Sequence, residues 1–115
     1  MTSLTAPKLF EAADKVNEGE RLRVLRSYAI LDSETDPAFD EIARLAASIC
    51  RAPMAFISLV DESRQWFKSH VGCELSETPR ALSFSAHALD RQDILTVPDA
   101  RHDPRFASNP LVGIV

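Results

Sequence analysis

The stretch Pro53-Met54-Ala55-Phe56-Ile57-Ser58-Leu59-Val60-Asp61-Glu62-Ser63-Arg64-Gln65-Trp66-Phe67-Lys68-Ser69-His70-Val71-Gly72 decides the fold class. Residues 54–60 form a short apolar run between a proline and an aspartate, the pattern of a central strand buried on both faces. Residues 61–64 are polar and of hairpin-turn length. Residues 65–71 then read as a second strand ending at Gly72. Strict alternation puts Phe67 and Val71 on one side, and Trp66, Lys68 and His70 on the other. An antiparallel hairpin is therefore expected.

Upstream, Asp36-Pro37 is a helix start: the carboxylate caps, and proline suits the first position because its missing N–H costs nothing there. Phe39, Ile42, Ala43, Ala46, Ile49 and Cys50 follow at helical spacing, giving one apolar face over residues 36–51, and Pro53 stops the helix. Cys50 is expected to pack there as a small hydrophobe. A shorter amphipathic helix over residues 18–28 carries Leu22, Leu25 and Tyr28. Residues 1–17 read as a loosely ordered arm, and 18–115 as the domain.

Downstream, residues 73–82 read as a loop containing Pro79. Ser83 caps a short helix running to Asp90, with Phe84, His87 and Ala88 on one face. Residues 94–97 read as a third short strand ended by Pro98, and Asp103-Pro104 opens a single turn around Phe106. The order predicts an α+β fold with an antiparallel sheet of about three strands and helices on one face.

Composition narrows the function classes. The chain has 115 residues, one domain's worth, with 13 basic and 17 acidic side chains for a net charge of −4. Residues 1–50 hold 6 basic and 9 acidic groups, so no basic patch is segregated for nucleic acid. No apolar stretch approaches the roughly 20 residues of a membrane helix, and no signal peptide is visible. Two cysteines, Cys50 and Cys73, suit a reducing cytoplasm better than a disulfide scaffold.

Catalytic patterns are sparse. Ser85 and His87 lie two residues apart, about 200° around a helix, so they do not face each other as a nucleophile and base must. With only three glycines, Gly19, Gly72 and Gly113, no phosphate loop or dinucleotide fingerprint is possible. His70, His87, His102, Cys50 and Cys73 show no metal-ligand spacing, so no metal site is expected, and no cofactor is indicated. Glu74 beside Cys73 has the wrong sign to activate a thiolate. Trp66 is a candidate to stack a ligand or to seal the sheet against a helix. Residues 99–105 form a mixed-charge loop able to sit over a pocket mouth.

The blocks Phe56-Ile57-Ser58-Leu59-Val60-Asp61, Arg64-Gln65-Trp66-Phe67-Lys68-Ser69, Ser83-Phe84-Ser85-Ala86-His87, Val97-Pro98-Asp99-Ala100 and Asp103-Pro104-Arg105-Phe106-Ala107, with Asn109-Pro110-Leu111, resemble the GAF sensor domains of bacterial signalling proteins. The resemblance runs from about Glu18 to Leu111. It implies a sheet with helices on one side and ligand-covering loops on the other. It also implies a cytoplasmic sensory or dimerising module without catalysis of its own, in two-component or cyclic di-GMP signalling. The expected partners are a small molecule, a second copy, and an output kinase or cyclase domain. By the same resemblance the pocket lies between the sheet and residues 80–99, making Trp66, Phe84, Ser85, His87 and Asp99 the ligand-binding candidates. Ser85 stands where many relatives have cysteine, which removes thiol chemistry and a covalent pigment at that position. The family pattern continues into further strands and a closing helix beyond Val115, so the sheet is expected to be incomplete, with an edge filled by another copy or apolar surface left exposed. The alternative is a small enzyme or redox protein on the same scaffold, using Cys73 or a histidine.

Overall fold

The structure is a computed structural model that describes residues 17–113. Of the expected N-terminal arm, only Asn17 lies within them. The element order is α1 (Glu18–Ser27), α2 (Pro37–Cys50), β1 (Ala55–Val60), β2 (Arg64–Val71) and β3 (Glu77–Pro79), followed by short 3-10 turns at Arg80–Leu82, Ser85–Ala88, Ala100–His102 and Pro110–Gly113. The three strands form one antiparallel sheet in the order β1-β2-β3, so the fold is α+β as expected.

Both helices start where their caps dictate. The Asn17 side chain accepts the Glu20 amide at 3.0 Å, and Asp36 accepts the Ala38 amide at 2.9 Å ahead of Pro37. α2 ends at Arg51, whose left-handed backbone (φ 52°) returns its amide to Ala47 and Ser48. α2 packs across β1 and β2, with Ala43 at 1% exposure against the sheet. Its apolar face is wider than the surface it covers: Ile42, Leu45, Ile49 and Cys50 are exposed. The expected packing of Cys50 is thereby corrected: it shares the angular position of Ala43, two turns on, but as the last residue of α2 it is exposed.

α1 lies at the hairpin end of the sheet, held mainly by charge. Arg21 Nη1 donates to the Val60 carbonyl at 2.6 Å, Arg26 pairs with Asp61 at 3.2 Å, and Glu18 bridges Arg21 (2.9 Å) and Arg80 (2.6 Å). Leu22 is buried, whereas Tyr28, expected on the packed side, is 74% exposed. Arg64 ties the 29–34 loop to β3 through Asp32 (2.6 Å) and Glu77 (2.9 Å).

Four expectations change. Among the described residues the apolar run 54–60 has one strand neighbour and lies at the side of the sheet; β2 is the middle strand and the better buried. The segment 73–82 contains β3, because the Thr78 region pairs with Gln65 even though its composition signals only a loop. Residues 94–97 are not a strand: Ile94 is 85% exposed, and no neighbouring strand supplies a ladder. The expected helix from Ser83 is reduced to the single 3-10 turn Ser85–Ala88, with Ser83 Oγ accepting the Ala86 amide at 3.1 Å.

The hairpin also carries a β-bulge. The register passes from Ile57↔Ser69 to Ser58↔Phe67, leaving Lys68 as an extra residue. Lys68 and Ser69 therefore both turn toward α2, and His70 shares the opposite face with Phe56. Ser69 Oγ donates to Asp40 at 2.6 Å, and Lys68 Nζ donates to Ser33 Oγ at 2.8 Å and to the Glu34 carbonyl. The expected grouping of Trp66, Lys68 and His70 on one face is split for this reason.

Candidate functional site

The sheet face opposite α2 forms the floor of a cavity of about 380 Å³. Phe56 and Ser58 come from β1, Gln65 and Phe67 from β2; the alternation of the two strands brings these four to one face. Leu75, Thr78, Phe84, Ser85 and Leu111 form the walls, and Met54 and Ala55 one end. Phe56 and Phe67 lie 4.6 Å apart between ring centroids, so the floor is largely aromatic.

The cover is a small packed unit in its own right. Phe106 is fully buried and stacks on Phe84 at 4.4 Å, which fixes the Phe84 ring at the cavity wall. Phe106 is brought there by the turn that Asp103 caps: the Asp103 carboxylate accepts the Arg105 amide at 2.9 Å, and its carbonyl accepts the Ala107 amide at 2.8 Å. The Asp103 carboxyl is held down at about 2, first by the Arg105 side chain. Asn109 Nδ2 donates to the Leu82 carbonyl at 2.9 Å and closes the unit onto residues 80–89.

The polar groups of the lining are three hydroxyls and one amide, and none of them titrates near neutrality. Gln65 Nε2 donates to Thr78 Oγ1 at 3.1 Å, which in turn donates to the Pro79 carbonyl. Ser58 and Ser85 hydroxyls have no partner among the described residues and remain free to bond a ligand. Such a lining can hold a small, mostly apolar molecule oriented by one or two hydrogen bonds. It holds no general base.

Of the five candidates from sequence, the cavity brings together Phe84 and Ser85. Trp66 is buried on the opposite face, where it lines a second cleft of about 350 Å³ with Asp40, Arg44 and Lys68. His87 is exposed and meets Phe106 edge-on at 4.9 Å. Asp99 caps the turn at Ala100–His102 and pairs with Arg101 (2.9 Å) and His102 (3.2 Å), with its carboxyl lowered chiefly by Arg101. Phe56, Ser58, Gln65, Phe67, Thr78 and Leu111 were not singled out from sequence. The period-2 pattern of the hairpin grouped the first four, but nothing in it told which face the cover would take.

The remaining chemistry is structural in placement. Cys73 is half-buried and Cys50 exposed, on different elements. His70 Nδ1 donates to the Cys73 carbonyl at 2.6 Å and so steadies the turn after β2. Among the described residues, no three His, Cys, Asp or Glu side chains group to hold a metal ion, and no helix is long and apolar enough to cross a membrane.

The chain is similar to a known signalling enzyme. It is 38% identical over 96 residues to Cyclic di-GMP phosphodiesterase PA2567 of Pseudomonas aeruginosa. That match covers 84% of this chain but 16% of the relative, so the chain spans a small part of that protein's length. No family model matches the chain.

Proposed function

We propose that residues 18–115 are a GAF-type regulatory domain of bacterial cyclic di-GMP signalling that binds a small molecule and dimerises, without catalysis of its own. The cavity carries the ligand reading: an aromatic floor, two unengaged hydroxyls and a lining free of titratable groups suit recognition rather than proton transfer. The signalling context rests on the similarity to the phosphodiesterase, whose name describes a protein of which this chain matches 16%. The catalytic step named there is assigned to the rest of such a protein. Phe84 and Ser85 are the ligand contacts in this reading, with Phe56, Phe67 and Gln65. Trp66, His87 and Asp99 serve the fold around the site. The setting is cytoplasmic, with an output kinase, cyclase or phosphodiesterase domain as the downstream partner.

Thermal-shift screening of the full chain against nucleotides and small neutral metabolites tests the ligand reading. One chemical class is expected to raise Tm, and Ser85→Trp, which fills the cavity, is expected to abolish that response. A complete panel that leaves Tm unchanged removes the ligand reading.

A further inference from the structure

The second cleft, on the α2 side of the sheet, collects hydrogen-bond donors that the fold leaves unused. Its floor is β2, which has a strand on either side, and its walls come from α2, the loop before it and Ser76. The bulge shapes this floor. One extra residue in β2 turns Lys68 and Ser69 to the same face, and bulges recur beside sites because they re-aim side chains in this way.

Lys68 is 8% exposed, and a charge so buried is ordinarily paired with an opposite one. Its ammonium instead donates to two neutral oxygens, Ser33 Oγ at 2.8 Å and the Glu34 carbonyl, and stands over the Phe39 ring at 5.6 Å. Among the described residues no carboxylate lies within ion-pair distance of it. An ammonium has three N–H groups, so one is left over.

Trp66 repeats the pattern. It is 9% exposed, and its indole N–H, which can only donate, has no partner among the described residues. Among those residues no sealed side-chain nitrogen lacks a partner, so this N–H keeps an opening, and Trp66 lines the cleft. Arg44 lines it from α2 and is exposed. Among the described residues it has neither hydrogen bond nor ion pair, whereas Arg21, Arg64 and Arg80 are each locked to a carboxylate. The one carboxylate of the lining, Asp40, takes the Ser69 hydroxyl at 2.6 Å. Two cations therefore face one carboxylate, and the groups left over are donors. What completes such a site accepts hydrogen bonds and carries negative charge.

We propose that this cleft binds a small oxyanion, a carboxylate or a phosphate, through the spare N–H of Lys68, the Trp66 indole N–H and the Arg44 guanidinium. The planar fork of Arg44 matches either group. Lys68 is already oriented by its two bonds, so little side-chain freedom is lost on binding. The Trp66 ring offers a flat apolar wall to the organic part of the ligand. A volume of about 350 Å³ is at the low end for ligand pockets and suits a short organic acid or a small phosphate ester. The site lies on the face opposite the aromatic cavity and stands apart from the reading of that cavity.

The chain has one tryptophan, so a single indole N–H resonance reports on the site. The test titrates the full chain with sodium phosphate, and separately with sodium succinate, at constant pH and ionic strength, with sodium chloride as control. A saturable shift of the indole signal is expected with at least one of the two anions and not with chloride. A response to phosphate alone assigns a phosphate, a response to succinate alone a carboxylate, and equal responses an oxyanion of either kind. Arg44→Gln changes an exposed residue with no bond to lose, and is expected to weaken binding by about tenfold or more with Tm unchanged. Trp66→Phe keeps an aromatic wall without the N–H, and binding followed at the Ser69 amide is expected to weaken severalfold. The absence of a saturable shift, an equal response to sodium chloride, or an affinity that either substitution leaves unchanged overturns the proposal.

Discussion

At Gly72 the backbone adopts φ 78°, and an added Cβ would lie 2.0 Å from the Pro53 carbonyl oxygen. Gly72→Ala therefore meets both left-handed strain and a backbone clash, and is expected to destabilise the chain by about 2 kcal/mol or more in urea denaturation. Phe106→Ala empties the packing behind Phe84 and is expected to cost about 3–5 kcal/mol by the same measurement, with loss of any ligand response. Glu18 shows how charge acts here. Arg21 first and Arg80 second hold its carboxyl at about 2, below its usual 4.5. A lowered carboxyl stabilises the fold above the unfolded value, and that contribution is lost as pH falls from about 4.5 toward 2. Carboxyl titration by NMR should find the Glu18 midpoint near 2, and Arg80→Gln should move it upward.

At the scale of elements, α2 is the best-specified piece. Its cap, its first-position proline and its stop all lie within the local sequence, and the structure follows them to within a residue. Asp36→Ala is expected to lower stability by about 1 kcal/mol in thermal or urea unfolding, because the Ala38 amide loses its acceptor. The hairpin is legible for the same local reason, polar turn between apolar runs. Its bulge is not, since the extra residue is stabilised by contacts of Lys68 with Ser33 and Glu34 and of the adjoining Ser69 with Asp40, all distant in sequence. β3 lacks a strand-like composition and residues 94–97 have one without forming a strand, for one cause. A three-residue strand exists only by virtue of its partner, and apolar residues without a partner make no ladder. Of the candidate site, Phe84 and Ser85 were legible from the resemblance, whereas the floor needed the register.

For the whole molecule, stability is distributed unevenly. β2 is covered by α2 on one face and lies between two strands, while residues 90–99 hold no ladder and little burial. Native-state hydrogen exchange should find the slowest amides in β2, and amides of residues 91–97 should exchange fastest outside the chain ends. Uniform protection across both regions would contradict this division. Helix limits, the hairpin turn and the α+β class are local or compositional properties, legible in the order of the residues alone. The face on which the cavity forms, the separation of Trp66 from Phe84 and the exposure of Cys50 follow from tertiary packing alone. Each depends on which surfaces meet across the sheet, and a residue's periodicity states that it has a buried side without stating what will lie against it.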